Sequence, residues 1–382
     1  MENRKILHII AISFSINYFF GKQFSYLTKK KGNEYHLGCS PSEEFFQLAK
    51  DLDYIPFSLL ITREISPFKD LMSIFSIYSY IKKNKIKKVV GHTPKGGMVA
   101  MIASFAARVP ERIYFRHGII YETSTGLKRV MLKNIDRLSG SLATKVVCVS
   151  NSIREISEQE KLNNSSKNVV LGFGTCNGID TEGKYNPRSY DVSTIISLKY
   201  KLNIQEGDFV VGFVGRMVKD KGINELILAW DSVKEKHQNA KLLLVGPIES
   251  RDSISDFSKM KIKNDPTIIF TDFILDASIY YLLMNVFILP SYREGFPTVA
   301  LEASSMKIPV LITKATGCAE AIIENETGFF ITHDPSDIAL KINYYYQNKK
   351  VADTHGNNGR KFVRKNFEQT KIWNLIDETL KI

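Results

Sequence analysis

The sequence predicts an α/β protein built from two doubly wound parallel-sheet domains in series. Short apolar runs alternate with segments of helical spacing along most of its 382 residues, which is typical of parallel strands joined by helices. A chain of this length is also too long for one comfortable core. A polar, loop-rich stretch at 181–208 interrupts the alternation, so we expect the domain boundary there.

The first domain is predicted over residues 1–185. Ser42 has the polar side chain that caps a helix N-terminus, as does either Ser150 or Asn151. The expected strands are the apolar runs at 5–12, 34–39, 89–92, 112–115, 145–150 and 169–171. The expected helices include 68–83, an alanine-rich stretch that ends at 108, and 128–142.

The second domain is predicted over residues 186–360 and repeats the pattern. A short helix is expected after Glu320, and an amphipathic helical tail occupies 361–382. The expected strands lie at 209–214, 241–245, 267–270, 286–289 and 309–312.

Composition is that of a soluble globular protein, with 44% hydrophobic and 24% charged residues. The longest apolar stretch, 6–20, contains four polar residues and is too short and too polar to cross a bilayer. It has no small-residue cleavage signature of a signal peptide. The four cysteines are scattered without a Cys-x-x-Cys pair, which favours reduced thiols in the cytosol and no structural zinc.

The net charge of +12 is concentrated in the first half, where residues 1–185 carry 27 Lys and Arg against 16 Asp and Glu. This asymmetry indicates an anionic partner, although a solvated lysine-rich surface would look the same. We find no nucleic-acid-binding motif. Helix 68–83 has a broad apolar face and a basic end, as a membrane-surface helix would, but we expect that face to point into the core.

Residues 286–306 form the most informative unit. A buried strand at 286–289 leads into a polar turn with Glu294, and Pro297 suits the first turn of the following helix. The free N–H groups and the dipole of that helix would favour a phosphate. Glu302 is predicted to lie in the first turn of this helix, and Glu294 lies before it. A bound phosphate would repel both carboxylates, which should instead accept hydrogen bonds from sugar hydroxyls. Alone, Glu302 could simply complement the helix dipole and Glu294 could be a solvated loop residue.

A second loop, 215–222, follows the strand at 209–214. Gly215 and Gly222 allow a tight turn, and between them Arg216 and Lys221 provide two cations that could neutralise a diphosphate. The spacing is not that of a P-loop. In open parallel sheets ligands bind beyond the carboxyl ends of the strands, and those ends carry His92, His117, Gly215, Gly246 and Glu294.

Together these residues resemble the signature of the retaining family 4 glycosyltransferases. The matching segments are Gly215-Arg216…Lys221-Gly222 and Glu294 to Glu302, with His92-Thr93-Pro94-Lys95-Gly96, Arg116-His117-Gly118 and Asn177-Gly178-Ile179-Asp180 in the first half. The first-half segments look most like bacterial members that build capsule, O-antigen and lipid-linked oligosaccharides. The resemblance implies the GT-B fold: two Rossmann-like domains that face a central cleft, and a C-terminal helix that crosses back to the first domain.

The resemblance also implies roles for residues. Arg216 and Lys221, with Gly215 and the backbone of Thr298 and Val299, would bind the donor diphosphate, and Glu302 the ribose. Glu294 and His117 would contact the donor sugar as the catalytic residues, although a histidine at a strand end can also be structural. Gly21, His92, Lys95 and Arg116 are candidates for the acceptor side; for His92 and Lys95 structural roles are equally good. Asp272 stands where a glycine is common, which puts the base contacts in doubt.

The expected reaction is transfer of a sugar from a UDP-sugar to a lipid-linked, polyprenyl-pyrophosphate saccharide, at the inner face of the cytoplasmic membrane. The resemblance implies that no cofactor or metal is needed, and we find no Asp-x-Asp that would hold one in the motifs above. Front-face attack and a covalent intermediate both remain open. The alternatives are a nucleotide-sugar epimerase or a phosphorylase on the same fold, or a non-catalytic membrane- or sugar-binding scaffold.

Overall fold

The structure, a computed structural model, describes residues 4–62 and 66–381. The chain divides into two compact units: unit 1 is Met1–Gly178 with Thr370–Ile382, and unit 2 is Ile179–Gln369. The boundary therefore falls at 178/179 rather than at 185/186, and the chain returns to unit 1 at Thr370 rather than at 361. The reason is local: helix Lys349–Asn366 packs on helix Thr298–Ser305 and so belongs to unit 2.

Unit 1 contains a seven-stranded parallel sheet in the order β3-β2-β1-β4-β5-β6-β7. Its strand order reverses between β1 and β4, which pair directly. The strands are β1 (Lys5–Ile9), β2 (Glu34–Cys39), β3 (Ile55–Ser58), β4 (Lys88–His92), β5 (Glu111–Arg116), β6 (Lys145–Cys148) and β7 (Asn168–Val169). Sequence analysis did not predict β3, whose residues are mostly exposed.

In the described residues of unit 1, seven α-helices accompany these strands. The predicted N-caps are confirmed, since Ser42 Oγ accepts from the Phe45 N–H and Ser150 Oγ accepts from the Ile153 N–H. The helices are α1 (Ile16–Phe19), α2 (Gln23–Lys31), α3 (Glu43–Leu52), α4 (Pro67–Asn84), α5 (Pro94–Ala106), α6 (Gly126–Leu142) and α7 (Asn151–Gln159).

The expectation that the apolar face of α4 points into the core is wrong for the first half of the helix. Phe68, Leu71 and Phe75 are 74%, 64% and 69% exposed, whereas Ile77 and Ile81 are buried. A helical repeat shows which residues share a face, but it does not show what covers that face.

Unit 2 contains a six-stranded sheet in the order β10-β9-β8-β11-β12-β13, again parallel. Its strand order reverses between β8 and β11. The strands are β8 (Phe209–Val214), β9 (Ala240–Val245), β10 (Ile268–Phe270), β11 (Val286–Leu289), β12 (Val310–Thr313) and β13 (Gly328–Ile331). Residues of β8 and β11 are fully buried, as their unbroken apolar sequences predicted.

The helices of unit 2 are α8 (Val192–Lys201), α9 (Ile223–Lys236), α10 (Asp256–Asn264), α11 (Thr298–Ser305), α12 (Pro335–Gln347) and α13 (Lys349–Asn366). Helix α8 lies within the stretch predicted to be loop. The short helix expected after Glu320 is absent from this described segment, which forms turns instead.

The last helix, α14 (Gln369–Leu380), packs in unit 1. Trp373 Nε1 donates to Asn177 Oδ1 at 2.8 Å. Lys145 Nζ donates to the Thr379 carbonyl at 2.7 Å and Lys88 Nζ to the Leu380 carbonyl at 2.9 Å. The two lysines thus satisfy carbonyls at the negative end of the helix dipole and fix the end of α14 to strands β4 and β6.

Among the helices of the described residues, none combines the length and the apolar character needed to cross a membrane.

Candidate active site

The loops of unit 2 that carry the predicted donor residues leave the carboxyl ends of β8 and β11, where the strand order reverses. This is the position at which open parallel sheets bind ligands. Gly215 follows β8 directly, and its N–H donates to the Val245 carbonyl of β9 at 2.9 Å. The first loop is therefore held at the sheet edge from its first residue.

Gly222 brings the two loops together. It has φ of 69°, a left-handed conformation that favours glycine. A Cβ at this position would collide with the carbonyl oxygen of Pro290, the residue after β11. Only glycine lets the 215–222 loop approach the start of the second loop this closely, and Lys221 is its neighbour.

Lys221 forms an ion pair with Glu294. Its Nζ donates to Glu294 Oε1, and Ser291 Oγ donates to the same oxygen at 2.8 Å. The two side chains are only 19% and 12% exposed. The predicted diphosphate-binding cation and the predicted sugar-binding carboxylate are thus neighbours. Their mutual neutralisation is not predicted by the sequence.

Arg216 is the more accessible cation, with its side chain 50% exposed. Its Nη1 donates to Glu249 Oε2 at 2.8 Å. Glu249 was not among the predicted site residues; the available signal was its place in the loop that follows Gly246 at the end of β9. The loops after β8 and β9 leave the same edge of the sheet, and this could have suggested that Arg216 and Glu249 form an ion pair.

The helix of the strand–turn–helix unit begins at Thr298, with Pro297 as its N-cap residue. The first turn of α11 contains no acidic residue, so the prediction that Glu302 lies in the first turn is wrong. The Thr298 N–H, predicted to hold a phosphate, already donates to the Phe296 carbonyl at 3.0 Å. Val299 follows it in the first turn.

Glu302 is held by a tyrosine that sequence analysis missed. Tyr281 Oη donates to Glu302 Oε2 at 2.7 Å. Burial raises the pKa of the Glu302 carboxyl above its usual value. Tyr185 is also hydrogen-bonded to this carboxyl, so a ligand hydroxyl would share the oxygens of Glu302 with two tyrosines.

Asp272, which replaces the glycine common in the family, has φ of 57°. Aspartate tolerates this left-handed region better than most residues. The Gly246 N–H donates to the Asp272 carbonyl at 3.1 Å. The backbone of this turn is therefore compatible with the substitution.

In unit 1, His117 is the end of a chain of three histidines. His8 Nδ1 lies 3.0 Å from His92 Nε2, and His92 Nδ1 lies 3.1 Å from His117 Nε2. Burial lowers the pKa of both His8 and His117 to about 3 and that of His92 well below its usual value, so all three rings are neutral at pH 7. His8 was not among the predicted site residues; its signal was a histidine within the buried part of strand β1.

The expected acceptor contact of Arg116 is wrong. The side chain is 0% exposed. Its Nε donates to both oxygens of Asp136 at 3.1 and 3.2 Å, and its Nη1 donates to Ser157 and Asn163. Arg116 thus holds α6 and α7 against β5 and cannot reach a ligand.

Two further acceptor candidates have structural partners in unit 1. His92 is 3% exposed and has both ring nitrogens in the histidine chain, which favours its structural role over pyrophosphate binding. Lys95 Nζ donates to Asp70 Oδ2 at 2.5 Å, which ties α5 to α4. Gly21 has φ of 48° and lies against the Asn177 side chain.

Across residues 4–62 and 66–381 no group of three or more His, Cys, Asp or Glu side chains is arranged to hold a metal ion.

The architecture and these loops define a glycosyltransferase. Residues 195–362 match the family model "Glycosyl transferases group 1" and residues 8–150 match "Glycosyl transferase 4-like". The capsular polysaccharide biosynthesis glycosyltransferase CapM of Staphylococcus aureus is 33% identical over 99% of this chain and 97% of its own length. The chain belongs to this family of glycosyltransferases, family 4, with the GT-B fold.

Two further relatives are informative. A UDP-Gal:alpha-D-GlcNAc-diphosphoundecaprenol alpha-1,3-galactosyltransferase of Escherichia coli is 28% identical over 81% of this chain and 79% of its own length. The crystal structure of HepE from Anabaena in complex with UDP-glucose has a TM-score of 0.82 at 20% identity and covers 99% of both chains. The latter likeness shows the fold.

Proposed function

We propose that this glycosyltransferase transfers a sugar, with retention of anomeric configuration, from a UDP-sugar to a polyprenyl-pyrophosphate-linked saccharide during surface polysaccharide synthesis. The reaction needs no metal ion. The observation that carries the proposal is the pairing of Lys221 with Glu294 where the strand order of unit 2 reverses. It puts a diphosphate-binding cation beside a carboxylate that can accept from sugar hydroxyls.

The cations act on the leaving group. Cleavage of the bond between the sugar and the diphosphate leaves negative charge on UDP and an oxocarbenium-like sugar. Arg216 and Lys221 stabilise the charge on the diphosphate, as preorganised cations do at a developing charge. In the free enzyme both are paired with carboxylates, Glu249 and Glu294, so binding of the diphosphate exchanges one anion for another.

The carboxylates hold the donor. Once the diphosphate has formed an ion pair with Lys221, Glu294 accepts hydrogen bonds from hydroxyls of the sugar. Glu302 accepts a hydrogen bond from the ribose while Tyr281 donates to its other oxygen. The Val299 N–H binds the distal phosphate, and the Thr298 N–H joins it by exchanging its bond to the Phe296 carbonyl. His117 contacts the donor sugar near the reacting carbon. Both front-face attack and a covalent intermediate are compatible with these roles.

The relatives support the donor and acceptor classes. CapM acts, by its name, in capsular polysaccharide synthesis, and the E. coli relative by its name transfers galactose from UDP to a diphosphoundecaprenol-linked sugar. The match covers 97% of the length of CapM and 79% of the length of the E. coli relative. A UDP-sugar and a polyprenyl-linked acceptor are therefore the substrates we propose here.

A lipid-linked acceptor places the enzyme at the inner face of the cytoplasmic membrane, and one face of unit 1 suits that surface. Helix α5 packs against both α4 and α6, so these two helices flank it. Their outer faces expose large apolar side chains: Phe68, Leu71, Met72 and Phe75 on α4, and Leu127, Val130, Met131 and Leu138 on α6. Exposed apolar patches of this kind mark protein or membrane contacts.

The charges of α4 and α6 favour an anionic membrane over a protein partner. The acidic residues of the two helices, Asp70 and Asp136, are both buried and paired with Lys95 and Arg116. The exposed charges are all positive: Lys69, Lys82, Lys83, Lys128 and Arg137. Apolar side chains that enter the headgroup region beside lysines that meet anionic lipids are the pattern of a peripheral membrane protein.

The proposal is tested by incubating the purified enzyme with UDP-glucose, UDP-galactose, UDP-GlcNAc and UDP-GalNAc and a short-chain polyprenyl-diphosphate-linked GlcNAc in the presence of EDTA. We expect one UDP-sugar to yield UDP and an extended lipid whose new linkage has the anomeric configuration of the donor. Turnover that requires inorganic phosphate would indicate a phosphorylase, and isomerisation of the UDP-sugar without transfer would indicate an epimerase. Binding without turnover would leave a scaffold.

A further inference from the structure

The histidine chain of unit 1 crosses three adjacent strands of the sheet. His8 lies in β1, His92 ends β4 and His117 follows β5, and these strands pair in the order β1-β4-β5. His8 and His92 are 1% and 3% exposed. Their ring planes differ by only 15° and their centroids lie 5.3 Å apart, so the two rings meet edge to edge across the hydrogen bond, and His92 also stacks on Phe115. Packing thus fixes both rings.

Because the three rings are neutral, each has one N–H and one unprotonated nitrogen. Each of the two contacts between rings needs one donor and one acceptor. All the protons in the chain must therefore point the same way, either toward His8 or toward His117. The tautomer of His117 follows from that direction.

The surroundings of His8, at the far end of the histidine chain from His117, decide in which direction the protons point. His8 Nε2 is buried and has no hydrogen-bond partner in the described part of the chain. It is surrounded by the aromatic rings of Phe20, Phe24 and Tyr35. A buried donor without a partner is rarer in proteins than an incompletely satisfied acceptor.

We propose that His8 and His92 are positioning residues that hold His117 in the Nδ1–H tautomer. His8 Nδ1–H donates to His92 Nε2, and His92 Nδ1–H donates to His117 Nε2. His117 then carries its single proton on Nδ1, which has no hydrogen bond to a described residue and is left to donate to a ligand oxygen. The tautomer of a histidine is set in this way by the bond that its other nitrogen makes.

The backbone at His92 is consistent with a fixed orientation. Thr93, the next residue, has φ of 62°, which is unusual for a β-branched side chain. Its Oγ1 accepts from the Gly96 N–H at 3.3 Å and caps α5. Strained backbone of this kind persists where the surrounding structure holds it, and it occurs most often at functional sites.

The inference rests on the proposed function in one respect: the ligand that receives the His117 proton is taken to be the donor sugar. A donor N–H there would hold a sugar oxygen in one orientation, and the Nε2–H tautomer, which unconstrained histidine prefers, would present a lone pair instead. Where a histidine is a metal ligand, loss of the groups that orient it typically lowers affinity or activity about 10- to 100-fold, and we expect a loss at the lower end of that range here.

The test is the imidazole nitrogen spectrum of the uniformly ¹⁵N-labelled full-length enzyme at pH 7.5, with His117→Gln used to assign the signals. We expect a protonated Nδ1 and an unprotonated Nε2 for His117 before any ligand is added. An Nε2–H tautomer, or a rapid mixture of the two, would overturn the proposal.

Two variants of His8 separate positioning from packing. His8→Phe keeps an aromatic ring but removes the donor, and we expect the His117 tautomer to become mixed and kcat/KM to fall about 10-fold. In His8→Asn the side-chain amide can donate a hydrogen bond from the position of Nδ1. This variant should therefore keep the wild-type tautomer of His117 and the wild-type kcat/KM. Equal effects of the two variants would mean that His8 only fills space.

The outcome for the proposed function is read separately. If the wild-type tautomer is as expected but His117→Ala transfers sugar normally, the positioning role of His8 and His92 is supported and the role of His117 at the donor sugar is wrong. If His117→Ala is inactive but the tautomer is Nε2–H, the proposed function stands and the positioning role fails.

Discussion

Lys221 and Glu294 lie on different loops of unit 2 and form a largely buried ion pair that Ser291 also joins. The pair keeps both charges compensated in the free enzyme, since an unpaired charge at this depth would be costly. Under the proposed function, a diphosphate must compete with Glu294 for Lys221. Donor binding and the placement of Glu294 would thereby be coupled.

Glu294→Gln should separate binding of the nucleotide from catalysis. The amide keeps the shape and can still bond to Ser291, but it no longer neutralises Lys221. We expect UDP to bind several-fold more tightly, because the lysine is released, and turnover of the UDP-sugar to fall about 100-fold. Calorimetry and a UDP-release assay measure the two effects.

Glu324→Gln, at an exposed position in the same unit, is the matched control and should change neither quantity. A Glu294→Gln enzyme with full turnover would remove Glu294 from the site.

Arg116→Met should act on stability. It leaves Asp136 buried without its ionic partner, and we expect the free energy of unfolding to fall by about 3–5 kcal/mol. Lys128→Met changes an exposed lysine on the same helix as Asp136 and should stay within about 0.5 kcal/mol of wild type. Urea unfolding measures both. A variant of normal stability that has lost transfer would restore the acceptor role that the sequence predicted for Arg116.

Mild acid should destabilise unit 1. The pKa of His8 is lowered to about 3 by burial, and that of His92 is lowered as well. In the unfolded chain both titrate near 6.5, so the unfolded state binds more protons than the folded state below that pH. The free energy of unfolding should therefore fall as pH decreases below about 6.5, by about 1.4 kcal/mol per pH unit for each such histidine.

Urea unfolding between pH 7.5 and 5.0 measures this slope above the range in which carboxylates titrate. His8→Phe, with one histidine fewer, should have a shallower slope. A flat profile over this range would show that the histidines are not buried in the neutral form.

Membrane binding should depend on α4. We expect Phe68→Ser, Leu71→Ser and Phe75→Ser together to weaken binding to vesicles of phosphatidylglycerol and phosphatidylcholine by at least about 10-fold. The control is Val192→Ser, Ile196→Ser and Tyr200→Ser on α8 of unit 2, where an exposed apolar stripe has similar accessibility. Co-sedimentation measures both. Equal losses in the two triple variants, or none in the first, would count against the α4 surface.

Much of the fold could be predicted from local sequence. Phe209–Val214 and Val286–Leu289 are unbroken apolar runs, and such runs are buried parallel strands in this class of protein. The loops that follow them contain Lys221 and Glu294, so the place of the site could be predicted too. To place these loops it is enough to know which segments are parallel strands and where each strand ends, because the carboxyl ends of parallel strands share one edge of the sheet.

The partners of the site residues could not be predicted in the same way. Glu249, Tyr281 and His8 are separated from Arg216, Glu302 and His92 by 33, 21 and 84 positions, and nothing local in the sequence specifies such pairs. Arg116 was misjudged for a related reason. Its place at a strand end suggested a ligand, whereas packing of α6 and α7 on β5 covers it.

The central claim is that the 215–222 loop binds the diphosphate of the donor, and calorimetric titration of UDP tests it most directly. Three proteins are compared: the wild type, Lys221→Ala, and Lys219→Ala, which removes an exposed lysine of the same loop. We expect Lys221→Ala to weaken UDP binding about 10- to 100-fold, the effect of losing one charged hydrogen bond, and Lys219→Ala to bind as the wild type does. Equal affinity of wild type and Lys221→Ala would contradict the account.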